Sequence, residues 1–148
     1  MIDYHSIEAY CHWKSATSGV RYRLPTEFEW EKAARGVDGR WYVWGDSFDP
    51  SYCCMFDSHA GRRLPAVVEH YPIDESVYGI RGLAGNMRDW TSSHFRDDWR
   101  EAEDTSSCVL RGGCWNFFVG YNLAARRDRG APIDRQGNLS FHLVRNLA

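Results

Sequence analysis

The sequence predicts an α+β domain, with two helices around a small, mostly antiparallel sheet and much irregular loop. Three observations carry that expectation. Helical spacing with end signals occurs twice near the N-terminus. Period-two alternation occurs only near the C-terminus, where Leu139, Phe141 and Leu143 alternate with Ser140, His142 and Val144. The stretch between is rich in Gly, Pro, Asp and Ser and holds neither period for long.

The first helix is expected over roughly His5–Ser15, with Ile7, Tyr10, Cys11 and Lys14 on one stripe, Ala9 and Trp13 beside it, and Thr17-Ser-Gly19 as its end. The second is better marked. Thr26 suits an N-cap, Glu29 completes a capping box, Pro25 fixes the entry and Gly36 stands where a C-terminal stop belongs. Its Phe28, Trp30, Ala33 and Ala34 suggest packing on both sides. Glu27, Glu29, Glu31 and Lys32 resemble a carboxylate cluster, but acids in a first helical turn complement the dipole, and that structural role is preferred.

From Asp38 to Glu75 long packed loops with short strands are expected, the apolar runs being Trp41-Tyr42-Val43-Trp44 and Ala66-Val67-Val68. Large rings bury much area per residue, as a domain poor in regular structure requires. Val109-Leu110 reads as a strand. From Asn116 to Asn138 neither period holds, yet rings, arginines and asparagines crowd together, as in recognition loops.

Composition bounds the class. With 148 residues, 43% of them hydrophobic, one core of useful size can form, so a single domain over 1–148 is expected. A net charge of -2 gives no reason to expect nucleic acid or an anionic membrane, and no apolar run is long enough to insert in a bilayer. No signal peptide is visible, which leaves a cytoplasmic location as the default.

The five cysteines, Cys11, Cys53, Cys54, Cys108 and Cys114, lack CxxC spacing, so buried thiols in a reducing compartment are expected rather than a disulfide framework or zinc site. Cys53-Cys54 is the exception, as either thiol could be exposed and redox-active. The six histidines show no ligand spacing and read as surface or hydrogen-bonded structural residues.

Four ordered blocks carry a resemblance. Tyr22-Arg-Leu-Pro-Thr-Glu-Phe-Glu-Trp-Glu-Lys-Ala-Ala-Arg-Gly36, Trp44-Gly45, Tyr78-Gly-Ile-Arg-Gly-Leu-Ala-Gly-Asn-Met-Arg-Asp-Trp90, and the closing Arg111-Gly-Gly-Cys-Trp115, Ala124-Ala-Arg126 and Leu139-Ser-Phe-His142 resemble the formylglycine-generating-enzyme (sulfatase-modifying factor) family. The resemblance covers about Ile2 to Arg145 and implies a C-type-lectin-like fold. The chain begins near the second family block, which leaves room for an upstream portion.

The family's calcium site maps to Gly82, Gly85, Met87 and Asp89. Gly82 stands where the family usually has Asn or Asp, and Asp89 replaces a longer Glu. The preferred reading has no cofactor, with Asn86 and Asp89 bonding loop amides; calcium at Gly85, Met87 and Asp89 is the other. Oxidase members use two cysteines between the GGSW and AAR blocks for copper, a soft ion that needs thiolates. The matching positions here fall at or near Phe117 and Phe118, so oxidase chemistry is not expected. The histidine set needed by iron-dependent relatives is not visible either.

A more specific resemblance is to the variable proteins of diversity-generating retroelements, in which mutagenesis of Asn codons varies a displayed surface. Trp115, Ala125, Arg127, Arg129, Pro132, Arg135, Leu139 and Phe141 fall on scaffold positions. The variable positions fall on Asn116, Phe117, Phe118, Tyr121, Arg126, Asp128, Gly130, Ala131, Asp134, Gln136, Gly137 and Asn138, within a segment of about 111–145. Gln136 cannot be reached from an Asn codon through adenine changes, and Ser140 and His142 differ from the usual Gly and Arg. The expected function is non-catalytic binding of a protein ligand through this segment. The alternatives are an oxidase-type enzyme or the sensor part of a signalling protein, as in relatives fused to kinases.

Overall fold

The computed structural model describes residues 1–61, 63–97 and 106–145. Helix α1 spans Tyr4–Ser18, longer at both ends than the sequence suggests. Asp3 caps it by accepting from the Ser6 N–H, and Gly19 closes it at φ 71°, the left-handed conformation that favours glycine. Its buried stripe is Tyr4, Ile7 and Cys11; Tyr10 and Trp13 are exposed and lie against each other. The expected stripe is thus rotated toward Tyr4, whose ring meets Trp90 edge-on.

Strand β1 (Tyr22–Arg23) leads to α2 (Glu27–Arg35), which has the full Thr26–Glu29 capping box and ends at Gly36. Trp30 and Ala34 are buried, but Phe28 is exposed, so α2 packs through one face. Its carboxylates are structural: Glu27 binds Arg127, Glu29 binds Arg23, and Glu31 binds both Arg35 and Arg111.

Between Asp38 and Glu75 the expected short strands are replaced by three 3-10 turns, Pro50–Tyr52, Phe56–Ser58 and Val68–His70. Asp49 caps the first of them, and Val67 and Val68 are exposed rather than paired. The short run Ala66-Val67-Val68 has no alternation and so no face to bury in a sheet.

The main sheet holds β2 (Arg88–His94), β3 (Cys108–Arg111), β4 (Arg127–Gly130) and β5 (Leu139–Ser140) in the order β4-β3-β2-β5. β2–β3 and β3–β4 are antiparallel, whereas β2–β5 is parallel. The alternating C-terminal run divides: β5 joins this sheet, and β6 (Val144–Arg145) pairs antiparallel with β1.

The sheet separates two cores. Tyr4, Ile7, Cys11, Leu24, Trp90, Cys108, Leu110 and Leu139 pack beneath α1. Trp30, Ala34, Val43, Cys53, Met55, Leu83, Ala84 and Ala124 pack beneath α2. All five thiols are free and buried, Cys53 and Cys54 included, so neither is exposed as the sequence allowed. Among the described residues no helix is long and apolar enough to cross a membrane.

Candidate functional site

The site grows from the turn after β3. Gly112 adopts φ 79°, and a Cβ there would lie 2.7 Å from the Leu83 carbonyl oxygen, so only glycine lets the chain pass this close. Arg111, fully buried, holds the returning loop. Its guanidinium donates to the carbonyls of Ala124 (3.0 Å), Ala125 (3.2 Å) and Arg126 (3.1 Å) and pairs with Glu31 at 2.6 Å. Burial pulls its pKa down, opposed by Glu31. One planar fork thus fixes the far end of the segment that starts at Trp115.

Within that loop the rings gather. Phe117 and Tyr121 lie 4.4 Å apart between centroids, and Phe118 lies 4.1 Å from Phe56 of a 3-10 turn. The Phe56 N–H donates to the Phe117 carbonyl and ties the two elements together. Phe118 is exposed, while Phe56, Phe117 and Tyr121 are half-buried. Guanidiniums cover three of the rings: Arg63 sits 3.4 Å from the Phe56 centroid, Arg126 3.9 Å from Tyr121 and Arg88 4.8 Å from Phe117.

Arg88 is the hub. From β2 its buried guanidinium reaches Asp128 Oδ2 (2.8 Å), Gln136 Oε1 (3.1 Å) and Asn138 Oδ1 (3.4 Å). Asn138 in turn donates to Asn116 Oδ1 at 3.2 Å, and Trp115 Nε1 donates to the Gly137 carbonyl. Asn116, Phe117, Tyr121, Asp128 and Gln136 are therefore one connected surface, joined underneath by Arg88 and Asn138, with Phe118 and Arg126 at its margins. The sequence reading missed Arg88, Phe56 and Arg63. Arg88 alone left a signal, as the charge that follows the uncharged run from Leu83 to Met87 and opens a strand.

The remaining candidates stand apart. Gly130 is buried in β4, where a Cβ would lie 3.0 Å from Trp90, so a varied side chain there does not fit; this corrects its placement on the binding surface. Asn138 is also buried and acts through the Arg88 network rather than on solvent. Asp134 folds back to accept from the Ala131 N–H at 3.0 Å, forming a local turn.

Several polar groups at the candidate calcium residues have partners within the fold. Asp89 Oδ2 accepts from Trp30 Nε1 (2.8 Å) and lies 2.7 Å from His142 Nδ1, so nitrogen groups already meet its charge. The Gly85 carbonyl accepts from Met87, and the Gly85 N–H donates to Asp74. Asp74 is buried, which pushes its carboxyl up to about 6. Asn86, at φ 69°, spends its side chain on the Ala66 N–H and carbonyl. At or near the positions where the resemblance puts the copper-binding cysteines stand Phe117 and Phe118. Among the described residues no group of three His, Cys, Asp or Glu side chains could hold a metal.

Two helices against a small sheet, with a long return loop after the Gly-Gly turn, define a C-type-lectin-like domain of the formylglycine-generating type. The model of the sulfatase-modifying factor enzyme 1-like domain matches residues 1–147, and the chain belongs to that family. An inactive C-alpha-formylglycine-generating enzyme 2 of Bos taurus is 32% identical over 77% of this chain and 37% of its own length. The hercynine oxygenase of Mycolicibacterium smegmatis is 35% identical over 91% of this chain and 34% of its own. The chain thus spans about a third of these relatives, and the family holds both enzymes and inactive members. Among solved structures, PvdO from Pseudomonas aeruginosa matches with TM-score 0.85 and 22% identity over 99% of this chain and 60% of its own. Treponema denticola variable protein 1 matches with TM-score 0.77 and 21% identity over 96% and 68%.

Proposed function

We propose that this domain is a non-catalytic binding module, which presents the surface after Trp115 to a protein ligand as variable proteins of diversity-generating retroelements do. One observation carries the reading: the Phe117 and Phe118 rings, which stand at or near where the resemblance puts the oxidase cysteines, are continuous with Phe56 and Tyr121 at the surface. A rigid scaffold bearing rings and polar side chains on one loop is a common design for recognition. The likeness in fold to Treponema denticola variable protein 1 supports the reading, and so does the existence of an inactive relative.

The test has two arms. Incubation with Cu(I), oxygen and a cysteine-containing sulfatase peptide is expected to leave the peptide mass unchanged. A display library randomised at Asn116, Phe118, Arg126, Gln136 and Gly137 is expected to stay folded and to yield binders to a chosen protein target. Copper-dependent conversion of the peptide, or a library that does not fold, overturns the reading.

A further inference from the structure

The two outermost guanidiniums of the ring cluster differ from the other arginines at the site. Arg88 is matched by Asp128, Arg111 by Glu31 and Arg127 by Glu27. Arg63 and Arg126 are exposed, and among the described residues no carboxylate lies within ion-pair distance of either. Each instead sits over a ring, Arg63 3.4 Å from the Phe56 centroid and Arg126 3.9 Å from that of Tyr121.

Stacking holds a guanidinium by its face and leaves its in-plane N–H donors directed away from the ring. Arg63 spends one donor, Nε, on the Phe56 carbonyl at 3.2 Å; Arg126 makes no hydrogen bond through its guanidinium among the described residues. Both are thereby pre-oriented for a planar, two-oxygen acceptor such as a carboxylate, with much of the ordering entropy of a long side chain already spent.

Charge decides what kind of partner fits. A cationic ligand would need an open ring face, but guanidiniums already cover Phe56 and Tyr121 and would repel it. Nearby acids do little to offset them: Asp128 is engaged by Arg88, and Asp57, beside Phe56, is a single exposed carboxylate. Phe118, whose ring meets the Phe56 ring that Arg63 covers, and its neighbour Val119 are exposed and offer apolar area that a purely hydrophilic anion would not cover.

We propose that this strip docks an acidic segment of a protein, with carboxylates on Arg63 and Arg126 and an apolar side chain on Phe118. The proposal rests on the binding-module reading and names the chemistry of its partner. Acid pairs flanking an apolar anchor follow the usual division of an interface into a desolvated centre and a charged rim.

A random-peptide phage library panned on the full domain tests it, followed by fluorescence anisotropy on the enriched peptides. Enriched sequences are expected to combine Asp or Glu with an apolar residue and to bind more weakly as salt rises. Exchanging their acids for Gln or Asn is expected to weaken binding about tenfold or more, the scale of one charge-assisted contact. The double variant R63Q/R126Q, checked for native circular dichroism, is expected to lose the preference for acids. F118A is expected to weaken acidic and neutral peptides alike.

Enrichment of neutral or basic peptides, absence of enrichment, or an acid preference that survives R63Q/R126Q overturns the proposal. Neutral binders lost in F118A would overturn the acidic partner alone and leave the binding module standing. Copper-dependent turnover of a cysteine peptide would remove the module itself.

Discussion

His142 places Nδ1 2.7 Å from Asp89 Oδ2 and Nε2 3.1 Å from the Arg81 carbonyl. Both neighbours are acceptors, so only the doubly protonated ring satisfies both. The Asp89 carboxylate is the main cause that raises the His142 pKa from 6.5 to about 9, against the opposing effect of burial. Because the folded value lies above the unfolded one, the pair's contribution is complete below about pH 6.5 and is lost as pH rises through about 9. The imidazole side chain is 39% exposed, so solvent screening reduces the contribution to about 1–2 kcal/mol. Urea unfolding of the parent between these limits should show stability falling with pH, and H142Q should lack that component of the slope.

Gly130 and Gly137 both fall on positions varied in the resembled proteins, yet the structure separates them. A Cβ at Gly130 would meet Trp90 Cη2 at 3.0 Å and Leu110 Cδ1 at 3.1 Å, whereas at Gly137 nothing lies within 4 Å. Trp90 is fully buried beneath α1 and cannot yield cheaply. G130V is expected to cost about 1–3 kcal/mol by overpacking, and G137V to stay within about 0.5 kcal/mol of the parent. Denaturant midpoints decide it, and equal midpoints would contradict the placement.

Arg111 and Glu31 join the loop to α2. Removing the guanidinium in R111M strands three carbonyls and half of Glu31's pairing, and is expected to cost about 3–5 kcal/mol, the scale of a broken buried ion pair. R111K keeps a charge but cannot span three carbonyls with a rigid fork, so it should fall between. Hydrogen exchange should quicken around Ala124–Arg126 in both variants before it does elsewhere.

These results bear on what a sequence reader can see. The α2 caps were legible because Thr26, Glu29 and Gly36 act within one turn of their own helix. Strand β4 was not, since Arg127–Gly130 has no apolar alternation: Arg127 is held by Glu27 from α2, and the Arg129 guanidinium lies 5.3 Å from the Phe95 ring centroid. The C-terminal alternation was visible, but its division between two sheets depends on β1, a partner more than a hundred residues distant in sequence. At the site, the loop residues could be named from their types. Their organisation by Arg88, and the burial of Gly130 and Asn138, arise from packing that no local pattern encodes.

The thiols give the last test, because Cys53 and Cys54 are the pair the sequence left open to redox chemistry. Both are buried; burial pushes each thiol up, Cys53 far beyond its ordinary range, and Cys108 rises to about 11. Nucleophilic attack needs a thiolate that a reagent can reach, and here both conditions fail. Ellman's reagent at pH 8 should therefore react with the native protein only as fast as it opens, and rapidly with all five thiols in denaturant. Cys114 sharpens the point, since its Sγ donates to Asn116 Oδ1 at 3.1 Å and accepts from Asn138 at 3.5 Å. A hydroxyl can make the same two contacts, so C114S should lose less than about 1 kcal/mol and leave the remaining thiols equally slow. Fast labelling of Cys53 or Cys54 in the folded state would reverse the assignment and restore a redox role to that pair.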